Sequence, residues 1–390
     1  MKKNSSEFFA IFCVLFLLFT LAFIFYWNSV MTQEGGAVSN WMNRTTALLG
    51  AFCLMIYVTA FKRKINGIHL VCLLWIIIMP FVMLFNHEKY FVYFQTMLWP
   101  LVFEVTYLMC LRKTSRDKKL RRLLSIIAII GLFLFLLTRF DIYSTEHTQT
   151  NTIYFSFLTL PWLLYGRKPK TQLVVLFIFT FLVLLSMKRS AMLAMAVVWL
   201  FFVIEKMKKT RNVVYTIVIF ASVIIGIDQI YDRINQRYSG ELVERITREE
   251  TDEGSNRLGI WGLTWAMIEN SSVEGLIVGH GHFGVKNDSY LEISAHNDFM
   301  EVIYDYGIII FFLYLYLWVY VIRRCFFLYR NKSPLFLPYA TSFGIFLSMS
   351  FVSHLILYTS YFNFLVMFWG MTEALMMSFQ VKGKIVKQLK

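Results

Sequence analysis

The stretch FFAIFCVLFLLFTLAFIFYW, residues 8–27, carries no charged side chain and has the length of a helix that crosses a lipid bilayer. Similar apolar runs of about 15–22 residues recur along the 390-residue chain. The chain is 58% hydrophobic and only 16% charged, with a mean hydropathy of +0.58, whereas a soluble domain has about 25% charged residues. Because six prolines are too few to break these runs, we predict an all-α polytopic membrane protein rather than a β-barrel.

The apolar runs divide the chain into three parts. Nine spans are expected within residues 1–230, one large extracytoplasmic loop at 231–298, and three spans with a cytoplasmic tail at 299–390. The loop therefore lies between spans 9 and 10 and is the one long polar stretch of the sequence. The twelve predicted spans are 8–27, 44–61, 68–86, 91–111, 123–140, 152–165, 171–187, 190–204, 212–230, 299–322, 335–352 and 356–379.

The distribution of basic residues predicts the orientation of the spans. Most of the 38 Lys and Arg residues fall in alternate connections and at both ends of the chain, which places both termini in the cytoplasm. The short outer connections hold few basic residues: Arg44, Lys89, Arg139, Lys188 and Arg189. The net charge of +14 thus indicates contact with anionic membrane lipids, and we expect no nucleic-acid partner.

Several function classes are disfavoured by the residues present. No Cys-x-x-Cys pair occurs and no cysteine lies in the large loop, so neither a disulfide framework nor a thiolate metal site is expected. No Gly-x-Ser-x-Gly motif supports a serine hydrolase. A proton-coupled transporter would carry ionisable residues in the middle of several spans, whereas here they cluster at the outer ends. Chemistry at the outer membrane surface is favoured.

Two adjacent cations, Lys188 and Arg189, occupy a very short outer turn between apolar helices. A guanidinium matches the oxygens of a phosphate, and the free N–H groups of the helix that follows favour an anion, with Ser190 predicted to cap that helix. The alternative is that these side chains reach toward phospholipid head groups without a catalytic role. We predict Arg189 as a catalytic residue and Lys188 as a substrate-binding residue.

The loop contains a predicted interfacial helix that starts near Arg257. Apolar residues at 258, 261, 265 and 268 fit one helical face, which would place Trp261 and Trp265 at the level of the lipid head groups. Arg257 would lie at the N-terminal end, where the helix dipole also attracts an anion. We predict a catalytic role for Arg257 and substrate binding for Trp261, with a purely anchoring helix as the alternative.

Polar residues mark the entry of the loop into the tenth span, in the segment His296-Asn297-Asp298-Phe299-Met300-Glu301. A neutral histidine takes a proton from a hydroxyl group near pH 7, so His296 is predicted to be catalytic. Asn297 and Glu301 are four residues apart, share a helical face and are predicted to bind substrate. The alternative is that this cluster only caps the helix and holds the loop in place. His354 is interpreted as an interior histidine.

The segment Gly279-His280-Gly281-His282-Phe283-Gly284 combines two histidines with three glycines. A His-x-His pair can bind zinc, but no third ligand stands at a suitable spacing, so a turn is the preferred interpretation. No metal and no other cofactor is expected.

With these motifs in order, the chain resembles the O-antigen ligase/O-antigen polymerase family. AHNDFMEVIYDYGII, with His296-Asn297 and Gly307, is similar to the signature at the end of the family's large periplasmic loop. SMKRSAMLA is similar to its short outer Arg turn, and SNRLGIW with GLIVGHGHFGV to its loop segment. The resemblance covers residues 171–325 well and the first half in architecture alone.

The resemblance implies a metal-independent membrane glycosyltransferase of the GT-C type in the bacterial cytoplasmic (inner) membrane. Its substrates would be oligosaccharides linked to undecaprenyl diphosphate and a glycan or lipid A–core acceptor, with a chain-length regulator as a further partner. Arg189 and Arg257 would bind the diphosphate, and His296 would position or deprotonate the acceptor hydroxyl.

The leading hypothesis is polymerisation of repeat units into O-antigen, capsule or exopolysaccharide. Ile310 stands three residues after Gly307, where ligases commonly have Gly, Thr or Tyr, and this favours a polymerase. The alternatives are a ligase that transfers finished glycan to lipid A–core or protein, and a flippase that transports the precursor.

Overall fold

The computed structural model describes residues 5–29, 35–60, 67–112, 115–139, 153–186, 188–206, 257–290 and 292–388. The described part is α-helical and contains no strand. Its helices are α1 (Ser5–Ser29), α2 (Gly35–Ala60), α3 (Ile68–Phe85), α4 (Tyr90–Arg112), α5 (Arg116–Arg139), α6 (Ile153–Phe157), α7 (Leu160–Leu164), α8 (Pro169–Ser186), α9 (Arg189–Lys206), α10 (Arg257–Glu269), α11 (Val273–Val278), α12 (Gly284–Asp288), α13 (Asp298–Arg330), α14 (Phe336–Val352) and α15 (Thr359–Gln388).

Six helices of the described part are long and apolar enough to cross a membrane. The polytopic all-α class is therefore confirmed, while the count of about twelve spans, the GT-C type and the division into three segments stay predictions. The predicted span 212–230 and the predicted loop before Arg257 lie outside the described residues. The six are Ser6–Tyr26, Ile68–Phe85, Tyr90–Leu111, Arg116–Leu137, Pro169–Ser186 and Asp298–Arg330.

One predicted span differs from a single continuous helix. The spans 152–165 and 190–204 are the shortest predicted, and the alternative for both is a re-entrant or strongly buried segment. At 152–165 a single spanning helix is wrong: α6 and α7 are separate helices, Thr159 lies between them and Pro161 lies in the first turn of α7. Proline has no N–H to continue the hydrogen-bond ladder, and even together the two helices fall short of the about 20 residues that cross a bilayer. Both are buried inside the protein.

The centre of the protein is formed by α4 and α15. The described side chains of α15 up to Met376 are buried, and most residues of α4 are buried as well. Gly370 allows the two helices to meet, since a Cβ there would lie 2.5 Å from the backbone oxygen of Phe103. This packing holds the N-terminal end of α15, and the turn before it, against the rest of the helices.

Large apolar side chains lie on the outer surface of several helices. Phe81 is 67% exposed and Ile129 66% exposed, which in a soluble protein would be costly. Such exposure is expected where lipid replaces water as the solvent.

Candidate functional site

The structure brings together predicted residues from three separate elements. Lys188 lies in the turn between α8 and α9, Arg257 is the first residue of α10, and His296 precedes α13. The charges of Arg257 and Lys188 both act on His296, so these side chains are close enough to share one electrostatic environment. Arg189 begins α9, but its side chain lies outside the described residues, and its role stays a prediction.

The start of α9 differs from the prediction. Ser190 does not cap the helix, because α9 begins one residue earlier, at Arg189. The backbone oxygen of Lys188 accepts the N–H of Met192 at 2.9 Å, which starts the helical ladder. The Ser190 hydroxyl is instead buried and lies 2.5 Å from the hydroxyl of Tyr154 in α6.

The histidine pair, defined here as His296 and His354, forms the middle of the site. The two rings stack with centroids 4.6 Å apart and an interplanar angle of 24°. His296 adopts a left-handed backbone conformation with φ of 54°, which is uncommon for a residue other than glycine and is often found at functional positions. His354 comes from the turn between α14 and α15 and was not predicted as a site residue.

Glu301 ties the histidine pair to α13. One of its carboxylate oxygens, Oε1, accepts the backbone N–H of His296 at 3.0 Å and lies 3.6 Å from Nδ1 of His354. The side chain is fully buried. This geometry makes Glu301 a support for the histidines, and its predicted contact with substrate stays a prediction.

Asn297 and Asp298 hold the start of α13. The Asn297 side chain accepts the backbone N–H of Phe299 at 3.0 Å and of Met300 at 3.4 Å, so Asn297 is the N-cap. The capping alternative considered for this cluster is thus present in the structure, and substrate binding by Asn297 stays a prediction.

Asp298 connects the start of α13 to the turn that carries His354. Its Oδ1 accepts the backbone N–H of Leu355 at 2.8 Å and of Ile356 at 3.2 Å. Its Oδ2 accepts the hydroxyl hydrogen of Tyr314 at 3.2 Å. The first turn of α13 therefore holds both segments that carry a site histidine.

The loop helix α10 contacts the site through Trp261, whose Nε1 donates to the backbone oxygen of Ala295 at 2.9 Å. The predicted apolar face of this helix is wrong in part. Ile260, Thr264 and Ile268 form the buried face, whereas Leu258 is 63% exposed and Trp265 is 52% exposed. The face of α10 that is buried is the one that packs against α13. The spacing of apolar residues in the sequence did not identify that face, because it carries no information on where α13 lies. Substrate binding by Trp261 stays a prediction.

α13 is broken at Gly307, and the turn at residues 279–284 binds to the broken end of the helix. Gly307 has φ of 78°, and the helix ends there before a second helical segment continues to Arg330. The carbonyl oxygens freed by the break accept N–H groups from the glycine-rich turn: His280 N donates to Tyr304 O and Gly281 N donates to Asp305 O, both at 3.0 Å. The predicted turn at 279–284 thus caps the broken helix.

The two histidines of the glycine-rich turn point to different partners. His280 stacks on the ring of Tyr304 with centroids 4.0 Å apart, and Nδ1 of His282 lies 2.6 Å from the hydroxyl of Tyr306. Both side chains therefore support the turn. Within the described residues, no group of three or more His, Cys, Asp or Glu side chains is arranged to hold a metal ion.

Electrostatics keep both members of the histidine pair neutral at pH 7. Burial, followed by the charges of His354, Arg257 and Lys188, lowers the pKa of His296 to about 4. Burial is also the main cause that lowers the pKa of His354 to about 4, with Asp298 acting in the opposite direction. Both imidazoles are thus proton acceptors beside a positive field.

His354 and Tyr154 were missed by the sequence interpretation. The predicted spans leave residues 353–355 in an outer turn, so the topology already placed His354 on the same side as His296. Apolar neighbours were given more weight than that placement. Tyr154, on which the charge of Arg257 also acts, carried no local signal because it lies in a mainly apolar run without charged residues.

The family model described as O-antigen ligase matches residues 174–315, from α8 through the loop and into α13. The matched region contains Lys188, Arg257, His296 and Gly307. The match covers about a third of the chain and supports an assignment of this region to the O-antigen ligase/polymerase family. The resemblance based on the three ordered motifs is confirmed. No curated protein shows a significant match to the chain.

The match to residues 174–315, together with the apolar helices, supports the function in coarse terms. They support a membrane protein with an O-antigen ligase/polymerase-like function, of the glycosyltransferase-like kind that the matching model suggests. The family of the matching model implies a lipid-linked glycan and an acceptor as substrates. The match does not separate a polymerase from a ligase.

Proposed function

We propose that this chain polymerises oligosaccharide repeat units linked to undecaprenyl diphosphate, at the outer face of the bacterial cytoplasmic membrane. The product would be O-antigen, capsule or exopolysaccharide. The observation that carries the proposal is the convergence of Lys188, Arg257 and a neutral His296 from three elements far apart in the sequence.

The cations Lys188 and Arg257 suit the leaving group of this reaction. When the bond between the sugar and the diphosphate breaks, the electron pair leaves with the diphosphate, whose negative charge increases. Positive side chains that are already in place stabilise this charge in the transition state. Arg189, at the start of α9, is proposed to join them. This charge balance requires no metal ion.

The neutral imidazole of His296 can accept the proton that the acceptor hydroxyl loses in the reaction. As the acceptor hydroxyl attacks the anomeric carbon, a new glycosidic bond forms and the hydroxyl proton passes to the neutral imidazole. A base with a pKa of about 4 is weak; burial is the largest cause of that value, and the charges of His354, Arg257 and Lys188 lower it further. A bound diphosphate neutralises the charges of Arg257 and Lys188, so the pKa of His296 rises when the donor is present.

The second candidate is the ligase that transfers a finished glycan from undecaprenyl diphosphate to lipid A–core or protein. It is favoured by the description of the matching model as O-antigen ligase. Ile310 after Gly307 favours the polymerase, which is why polymerisation is proposed first. Both candidates use the same diphosphate leaving group and the same residues.

Deletion of the gene separates the candidates, with surface glycan and lipid-linked glycan each resolved on a gel. Surface glycan reduced to a single repeat unit supports the polymerase. Long chains retained on the polyprenyl carrier support the ligase. Unchanged glycan in both pools contradicts both enzymes.

Complementation with Arg257→Ala tests the role of the cation. We expect the polymer to fall at least about 100-fold below the wild-type level, because removal of one group that stabilises transition-state charge typically costs that much. Arg330→Ala, at the last turn of α13 and away from the site, is the control and should restore wild-type polymer. Membrane levels of each variant are compared by immunoblot. Normal polymer from Arg257→Ala at a normal protein level would contradict the proposal.

A further inference from the structure

His354 and the turn that carries it are held in place by contacts with His296, with α13 and with Tyr358. It is 58 residues away from His296 in the sequence, yet the two rings stack at 4.6 Å. The turn that carries it is bound by Asp298 through two backbone N–H groups, and the ring of Tyr358 lies 4.5 Å from the His354 ring on its own turn. The position of His354 is therefore fixed from both sides.

Glu301 links both histidines through one oxygen. Oε1 accepts the N–H of His296 and lies 3.6 Å from Nδ1 of His354, a distance that is too long for a hydrogen bond. The His354 Nδ1 and the other carboxylate oxygen of Glu301 are both buried without a hydrogen-bond partner. A buried polar atom without a hydrogen bond lowers the stability of the fold, so most such atoms in proteins have a partner. At catalytic sites, hydrogen bonds that are long without substrate often shorten when substrate binds.

We propose that His354 is a positioning residue for His296 in the glycosyl transfer, with Glu301 as the support that both histidines share. The inference rests on the proposed function. Stacking by His354 covers one face of the His296 ring and restricts its rotation. The remaining face and the ring edge are left for the acceptor hydroxyl. A base held in one orientation transfers the proton more efficiently than a freely rotating one.

Charged groups from every neighbouring element act on the pair. His296 meets His354, Arg257, Lys188 and Glu301, of which the first three lower its pKa. Burial remains the largest cause of the low pKa of His296, but both rings titrate near pH 4, where a protonated His354 repels a protonated His296. A residue without a titratable ring at position 354 removes this repulsion, so we expect the pKa of His296 to rise.

His354 in turn faces Glu301, Asp298, Arg257, Lys286 and Tyr358. Burial and the positive charges among these groups favour its neutral form. A neutral His354 does not repel the imidazolium that forms on His296 during the reaction.

The test uses His354→Phe, which keeps a ring over His296 but cannot bind a proton, and His354→Gln, which keeps polar atoms but loses the stack. The full chain is labelled with ¹³C at histidine Cε1 and titrated by NMR in detergent, with the His296 signal assigned from His296→Gln. The control is His87→Asn, an exposed position outside the site with φ of 54° that asparagine tolerates.

We expect the pKa of His296 to rise by at least about half a unit in both His354 variants and to stay unchanged in the control. Polymer made in the complemented deletion strain should fall at least about tenfold for His354→Gln, and by less than about threefold for His354→Phe, because the ring still restricts His296. Wild-type polymer from both variants, or an unchanged His296 titration at normal protein levels, would overturn the proposal.

The two measurements separate this inference from the proposed function. The NMR titration requires no substrate and reports the contact between the histidines directly. A shifted titration combined with normal polymer from Arg257→Ala would contradict the glycosyl transfer itself, whereas an unshifted titration with polymer lost in Arg257→Ala would contradict only the role of His354.

Discussion

At the scale of single residues, the site depends on histidines that are buried and kept neutral. His296 and His354 have pKa values lowered to about 4, and burial lowers that of His282 to about 3. Neutral imidazoles accept protons and hydrogen bonds, whereas charged ones would repel the nearby cations. The same burial makes these residues a source of pH-dependent stability.

His282 gives a direct test of this dependence. Its pKa is about 6.5 in the unfolded chain and about 3 in the fold, so the unfolded state binds the extra proton as the pH falls below about 6.5. The free energy of unfolding therefore decreases between pH 7.5 and pH 5, by about 2 kcal/mol from this residue. In His282→Gln this loss is absent, so its melting temperature should fall less than that of the wild type.

Thermal unfolding of both proteins in detergent at pH 7.5 and pH 5 measures the difference. The comparison between the two proteins removes the contribution of every other titratable group. Equal decreases in melting temperature would show that His282 is accessible to protons in the fold.

At the scale of elements, the break in α13 decides where the site residues lie. The segment before Gly307 supplies Asp298, Glu301 and Asp305, all fully buried, and the segment after it continues as an apolar helix. The break is stabilised by the glycine-rich turn, because Gly279 and Gly307 let two backbones approach more closely than any side chain would allow. A Cβ at Gly307 would overlap the backbone oxygen of Ile277, and one at Gly279 would overlap that of Asp305.

Gly307→Ala should therefore destabilise the protein by more than about 2 kcal/mol, since a left-handed φ is strained for alanine and the backbone overlap must also be relieved. The matched control is Gly262→Ala in α10, where a Cβ meets nothing within 4 Å. Alanine in a helix interior is favoured there by about 0.5–1 kcal/mol. Melting temperatures in detergent measure both effects, and similar values for the two variants would show that the backbone contact is not required.

At the scale of the whole molecule, the site lies at one end of the central helix pair α4 and α15. The turn before α15, the start of α13 and the turn before α9 all meet at that end. The basic residues of the sequence predict that this end faces outward, with both termini in the cytoplasm. That orientation can be tested without knowledge of the substrate.

Two exposed lysines allow this topology test. Lys286→Cys, in α12 beside the site, should react with a membrane-impermeant maleimide in intact spheroplasts. Lys332→Cys, between α13 and α14, should react only after the membrane is permeabilised. The four native cysteines Cys53, Cys72, Cys110 and Cys325 are buried and Cys13 is partly buried, so wild-type labelling serves as the background. The reverse pattern would place the site at the cytoplasmic face.

Local patterns in the sequence were sufficient for the membrane class and for many of the helices. α3, α8 and α14 lie within two residues or so of the predicted spans, because an apolar run must form helix wherever lipid is the solvent. The candidate residues Lys188, Arg257 and His296 were also predicted individually, since a cation or a polar histidine beside an apolar span is conspicuous. These inferences require only composition and spacing.

Only the tertiary structure decided how the parts combine. The buried face of α10, the break at Gly307, the capping role of Asn297 and the stack of His354 on His296 depend on contacts between segments that are distant in the sequence. The apolar pattern of α10 fits two possible faces, and packing against α13 selects one of them. His354 carries the same local signal as any interior histidine, and it becomes part of the site because Asp298 and Glu301 hold its turn against His296. The length of each apolar run thus determined which segments lie in lipid, whereas packing determined which segments contact one another.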